Sequence, residues 1–277
     1  MVYPTPLTAV SRKLTDNIVI TSSPFTRANH FNFGGRMALI KYDDSIIVWS
    51  ALPYGPEVLK ALQLLESNDK QETFNVTHLI VPDREHTLAA VSFKEKFPAL
   101  KIIAMDTVKF DKFKVDYEVG ESLGNQLLTK EVLADKVGIK ESVILNNLQF
   151  VYLPFHANQE LIVYDINHKI LFEADLIFNL GIPGTTSGKV TLEQYSPATG
   201  YIKGFNPHGG WSFLTRYMQP YSKVGKFLFN KFVNPAKSAA GLKAIYGLDF
   251  QSIVLCHGNI IDKNAKEVFK HVFESSL

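Results

Sequence analysis

Six histidine or carboxylate side chains stand just past the ends of short apolar runs. Asp83, Glu85 and His86 follow the run 77–81, His156 follows 150–153, Asp175 follows 169–172 and His257 follows 251–255. Imidazole nitrogen and carboxylate oxygen are the donors that hold zinc, iron or manganese. In open α/β sheets ligands gather at the carboxyl ends of the strands, so groups far apart in the chain can converge there on a divalent cation. A cation so held lowers the pKa of a bound water to about 7 and provides a nucleophile for hydrolysis. The same residue types have plainer uses. Asp83 also suits the N-cap of a following helix, and Glu85 suits the first turn, where the helix dipole favours an acid. His208, in Asn206-Pro207-His208-Gly209-Gly210, fits either a lid residue reaching the site or a simple turn.

No other catalytic motif competes. There is no G-x-S-x-G nucleophile elbow and no C-x-x-C pair. Residues 184–189 imitate a phosphate loop only superficially, because Pro183 replaces the first glycine and Val190 the Ser/Thr. The lone cysteine, Cys256, excludes an intramolecular disulfide and reads as a small buried thiol.

The elements that must position these residues follow from the hydrophobic pattern. An extended run at 17–21 and a hairpin of 36–42 with 45–50 open the chain. Residues 56–66 have helical spacing, with Pro56 suited to the first turn. A strand at 77–81, a helix at 87–97 and a strand at 101–105 form a parallel βαβ unit. The second half offers a short helix at 140–146, a strand at 150–153, a hairpin of 161–164 with 169–172 and a loop at 181–188. Helices follow near 211–218, 222–232 and 235–246, then a last strand at 251–255. A closing helix at 262–273 has Asp262 as its N-cap.

Four segments together resemble the metallo-β-lactamase superfamily. Val81-Pro82-Asp83-Arg84-Glu85-His86 stands where that family carries H-x-H-x-D-H. Leu153-Pro154-Phe155-His156-Ala157 resembles its P-G-H-T turn, Ala174-Asp175-Leu176-Ile177-Phe178 its G-D-L-x-F, and Cys256-His257-Gly258 its final H-G. The resemblance implies an αββα sandwich spanning the chain 1–277 as a single domain. It implies one metal position at His156, Asp83 and Asp175, weakened because Val81 cannot bind a metal. The second position, at Glu85, His86, Asp175 and His257, is complete apart from one extra methylene. A single ion there, or an unequal pair, is expected. Zinc is the first expectation, and the carboxylate-rich set admits iron or manganese. Flavodiiron-type members also place a carboxylate at the second histidine position. The function implied is metal-dependent hydrolysis of a small anionic substrate through a metal-bound hydroxide, with Asp83 and Asp175 as catalytic residues. The alternatives are a non-haem iron oxidoreductase on the same fold and a non-catalytic, ligand-binding descendant.

Composition and charge set the remaining bounds. The 277 residues carry a net charge of +2 and are 46% hydrophobic, which is ordinary for a globular protein. The charge is uneven. Residues 194–248 contain seven Lys or Arg and no Asp or Glu, leaving −5 on the rest. A basic helical insertion at about 194–248 is therefore expected to act as a cationic lid, with His208 and Lys223 meeting the anionic substrate. Its interleaved aromatics could stack bases, but they equally describe an amphipathic helix, and no nucleic-acid partner is expected. No secretory signal or membrane span is legible, so a cytoplasmic protein is expected, of undetermined oligomeric state.

Overall fold

The computed structural model describes residues 3–181 and 192–277. The expected loop at 181–188 therefore lies, past its first residue, outside the described residues, as does the phosphate-loop-like stretch 184–189. In chain order the first half contains β1 (Val10–Thr15), β2 (Ile18–Ser23), β3 (Thr26–Arg27), β4 (Phe31–Asn32), β5 (Gly35–Tyr42), β6 (Ser45–Trp49), α1 (Pro56–Glu66), β7 (Val76–Ile80), α2 (Ala90–Lys96), β8 (Lys101–Met105) and β9 (Tyr117–Val119). Then come β10 (Leu127–Leu128), α3 (Lys130–Val132), α4 (Ser142–Leu145), β11 (Leu148–Leu153), β12 (Glu160–Asp165), β13 (Ile170–Glu173), α5 (Lys223–Val233), α6 (Pro235–Gly247), β14 (Ser252–Leu255) and α7 (Ala265–Phe273).

Two sheets form the centre. The seven-stranded sheet runs β1-β2-β5-β6-β7-β8-β9 and the five-stranded sheet runs β10-β11-β12-β13-β14. β2 and β12 are buried along their whole length, as expected for strands covered on both faces. The sheets pack through large side chains such as Trp49 and Phe172, whose rings are 5.4 Å apart. Outside the first sheet, α1 lays Val58, Ala61, Leu62 and Leu65 against it, the i, i+3, i+4, i+7 stripe of an amphipathic helix. Outside the second, α6 and α7 bury Leu242, Ile245, Phe269 and Phe273. This is the αββα arrangement.

One topological detail places the site. β13 and β14 are parallel, so they cannot be joined by a tight turn, and the chain between them must cross over. That crossover carries the basic segment. It also brings the end of β13 beside the end of β14, with Glu173 opposite Leu255.

Several expected boundaries move for physical reasons. The helix expected at 87–97 begins only at Ala90, because Asp83 holds residues 83–86 in a separate turn. The closing helix begins at Ala265 with Asn264 as its N-cap in the left-handed region (φ 52°), and Asp262 is exposed rather than capping. The segment expected to be helical near 211–218 is a 3-10 helix, Gly210–Tyr217.

Candidate metal centre

Asp175 and His257 each stand two residues beyond the paired positions Glu173 and Leu255, so the register alone sets them side by side. His257 Nε2 is 3.1 Å from Asp175 Oδ1. Its other nitrogen, Nδ1, donates to the Gly34 carbonyl at 2.6 Å. That bond fixes the tautomer and leaves the Nε2 lone pair free, which is how a ligating histidine is prepared. The ring lies flat on Phe178, with centroids 5.2 Å apart and planes 4° from parallel. Gly34 is in the left-handed region (φ +71°), and a Cβ there would stand 2.4 Å from Gln194 Cγ. Gly258 (φ +94°) lets the chain turn against Asn179, whose carbonyl oxygen would be 2.2 Å from a Cβ.

His86 enters from the opposite sheet, beyond β7. Asp83 is wholly buried, and its Oδ1 accepts from the Glu85 and His86 amides (2.7 and 2.9 Å) and from His86 Nδ1 (2.8 Å). One carboxylate oxygen thus caps the turn and orients the imidazole. Burial pulls the His86 pKa down, but the neighbouring Asp83 carboxylate carries it well above the ordinary value. The His86 and His257 rings are 5.2 Å apart. One donor atom from each of His86, Asp175 and His257 lies within 4.8 Å of the others.

His156 is buried at the same place but prepared differently. Its Nδ1 accepts the Asn158 amide at 3.2 Å, so the neutral ring carries its proton on Nε2, and that atom is buried without a partner. Burial lowers its pKa, which keeps the ring neutral. Ligation through Nε2 requires the tautomer to invert and the Asn158 contact to break. Asp83 Oδ2 is also buried and unpartnered. Glu85 lies outside the close group of donors. Its carboxylate is a third exposed and 3.8 Å from Arg27 Nη2.

The donor set fits a divalent cation. Asp175 Oδ1 is buried with no hydrogen-bond partner. Behind it stand two further buried acids. Glu160 accepts from the Ala174 and Asp175 amides (2.5 and 3.1 Å), and Glu173 accepts from the Leu176 and Ile177 amides (2.8 and 3.1 Å). Burial first, and then neighbouring carboxylates, push Glu160 and Glu173 well above the usual range. Burial also opposes ionisation of Asp175, but the neighbouring His257 and His86 hold it below the usual range. Asp83 and Asp175, both buried beside the two imidazoles, supply the oxygen donors that a cation's charge complements.

Two cavities meet at Asp175. The narrow one, of about 30 Å³, is lined by Glu85, His86, Asp175, His257, Phe25 and Tyr3. It is large enough for an ion and a water. The wider one, of about 450 Å³, is lined by His156, Asn158, Phe178, Met218, Leu228 and Phe232. Arg27 and Phe33 border both.

The basic segment is arranged differently from the expected cationic lid. Lys223 is exposed at the first turn of α5 and lines neither cavity. His208 is buried, with Nε2 donating to the Leu180 carbonyl at 2.7 Å and Nδ1 bonded to Thr215 Oγ1 at 2.9 Å. Both nitrogens serve the fold. The segment presents Met218, Leu228 and Phe232 to the wider cavity, and the cation there is Arg27. Cys256 is buried 3.0 Å from Ser50 Oγ, and burial pushes its pKa to about 11, so it stays a thiol.

Sequence reasoning passed over Arg27, Gly34, Asn158 and Phe178. Asn158 Nδ2 bonds Asp175 Oδ2, and Phe178 supports His257. Asn158 had a signal in its place two residues after His156, and Phe178 in its place at the end of the G-D-L-x-F-like segment. Arg27 reaches the site because the β3–β4 hairpin is pinned at Asn32, whose amide donates to Ser212 Oγ (2.7 Å) and whose Nδ2 donates to the Pro207 carbonyl (2.9 Å).

No protein-family model and no curated protein matches this chain. Solved structures do. The chain is similar to the metallo-β-lactamase DIM-1 in a structure exposed to ceftazidime, with 12% identity, TM-score 0.57 and all of both chains covered. It is similar to FIM-1 from Pseudomonas aeruginosa in its mono-zinc form, with 11% identity, TM-score 0.53, and 97% of this chain and 95% of that one covered. The metal-soaked Flv1 flavodiiron core from Synechocystis sp. PCC6803 aligns at 13% identity and TM-score 0.58, over 98% of this chain and 61% of that one. This chain has the metallo-β-lactamase fold.

Proposed function

We propose that this protein is a hydrolase of a small molecule, dependent on one divalent cation held by His86, Asp175 and His257. The observation that carries the reading is the pair of imidazoles with Nδ1 engaged, by Asp83 and by Gly34, that each bring a donor atom within 4.8 Å of the other and of one from Asp175. A divalent cation supplies Lewis acidity toward a carbonyl or phosphoryl oxygen and acidifies water. The chain's own residues do the rest. Phe178 and Phe33 shield the pocket from bulk water, and Glu85, in the narrow cavity, is placed to take a proton from an entering water. Arg27, on the border of both cavities, meets an anionic group of the substrate. The apolar walls of the wider cavity receive its hydrocarbon part. Metal analysis and hydrolysis of a panel of small esters, amides and phosphoesters test this. Wild type should hold one ion per chain and His257→Ala close to none, with hydrolysis lost in parallel. Absence of metal after soaking would overturn it.

A second reading, a non-haem iron oxidoreductase, is favoured by the buried acids around the site and by the likeness to a flavodiiron core. Iron retained through purification, with a visible absorption band, would favour it over zinc hydrolysis.

A further inference from the structure

The outer surface of segment 202–231 has its polarity turned inside out. Within the 3-10 helix Gly210–Tyr217 the buried residues are polar. Ser212 Oγ accepts from the Asn32 amide at 2.7 Å and donates to the His30 carbonyl at 2.8 Å, and Thr215 Oγ1 donates to the Ser212 carbonyl at 2.7 Å. The residues turned to solvent are Trp211, Phe213 and Leu214, which are 70%, 47% and 63% exposed. The next element, α5, touches this helix and also has an exposed apolar and basic arc. At 100° per residue, Lys223, Val224, Phe227 and Lys231 of α5 share one arc, and all four are exposed. Gly225, Phe229 and Val233 face the core, and Leu228 and Phe232 line the wider cavity.

Seven of the nine large hydrophobic residues exposed among the described residues lie between Ile202 and Phe227. Scattered exposed apolar side chains are ordinary, but a concentration of them marks an interaction surface. The charge says what kind. Residues 194–248 hold seven Lys or Arg and no acid. Lys203, Lys223 and Lys231 are exposed with no ion pair among the described residues. A second copy of the chain seated symmetrically on this face would bring its cations against each other. An anionic bilayer surface instead meets the lysines with phosphate and carboxylate headgroups and takes Trp211, Leu214 and Phe227 into the interface.

We infer that residues 202–231 form a docking face for an anionic membrane surface. Docked in this way, α5 brings the wider cavity beside the lipid, because Leu228 and Phe232 adjoin Phe227 and Lys231 on the same helix. Docking itself requires no metal, so it stands or falls separately from the hydrolase reading.

The test uses the protein with vesicles of phosphatidylcholine, with and without phosphatidylserine. The two tryptophans are well placed for it, since Trp49 is fully buried and Trp211 is exposed. Blue-shifted emission and co-sedimentation are expected with phosphatidylserine vesicles only. Binding should weaken at least tenfold at about 1 M salt, where the screening length falls to about 3 Å. Trp211→Ser with Phe227→Ser, and separately Lys223→Glu with Lys231→Glu, should each reduce binding at least tenfold while circular dichroism stays unchanged. No binding, binding indifferent to these variants, or a lipid-free dimer that buries Trp211 would overturn the inference.

Discussion

At the residue scale, the division of labour among the histidines follows from what each Nδ1 touches. His86 and His257 each set Nδ1 against an oxygen, whereas His156 Nδ1 accepts an amide N–H, which puts its proton on Nε2. The types and positions of these residues were legible in the sequence; their tautomers were not, because a tautomer depends on a partner from another element. Gly34 lies 223 residues from His257 in the chain. His208 shows the converse. Its turn context was legible, but its two bonds to Leu180 and Thr215 are tertiary. His208→Ala should therefore lower the melting temperature, at a cost of about 1–3 kcal/mol for the buried partners left unpaired, while metal content stays at the wild-type level. In the proposed hydrolase, Arg27 is the residue that meets an anionic substrate group. Arg27→Ala should raise KM for anionic substrates about tenfold or more with little change in kcat, and leave neutral analogues nearly unaffected. Equal losses on both substrate types would show that Arg27 only braces the hairpin through Glu85.

At the element scale, the parallel pairing of β13 with β14 does most of the positioning; the last strand and the helical segment before it were legible, but the pairing itself is a tertiary contact. What escaped the sequence is the orientation of the crossover itself. Its charge pattern suggested a cationic lid, but a helix distributes its residues around an axis, and Lys223 and Lys231 of α5 take the solvent arc while Leu228 and Phe232 take the cavity. The β3–β4 hairpin, too short to stand out by periodicity, supplies Arg27 and leads into Gly34. Gly34→Ala should push the chain off Gln194 and displace the carbonyl that fixes His257. A loss of metal affinity of about 10- to 100-fold is expected, the usual size of effect for an outer-shell partner. Isothermal titration with zinc measures it; unchanged affinity would mean that His257 is held by Phe178 alone.

At the scale of the whole molecule, the two sheets and their flanking helices were legible from alternating strand and helix patterns and from four short segments in order. The helix starts were not, since at Asp83 and Asn264 the turn before the helix decides where it begins. Stability away from the site has its own pH dependence. Glu141, at the start of α4, accepts from Tyr117 OH at 2.7 Å and from Lys101, tying the helix to β8 and β9. Partial burial raises its pKa, but these bonds outweigh that and lower it from 4.5 to about 2. A depressed carboxylate stabilises the fold above its unfolded value and loses that contribution as pH falls through the folded one. The melting temperature of wild type should thus exceed that of Glu141→Gln at neutral pH, with the gap closing between pH 4.5 and about 2. A gap independent of pH would assign the role of Glu141 to packing.

Anomalous diffraction at the zinc, iron and manganese edges both locates and identifies a cation held by His86, Asp175 and His257. A single peak between His86 Nε2, Asp175 Oδ1 and His257 Nε2, absent from crystals of His257→Ala, is the predicted result. No peak in metal-soaked wild-type crystals, or a peak centred instead on His156 and Asp83, would contradict it.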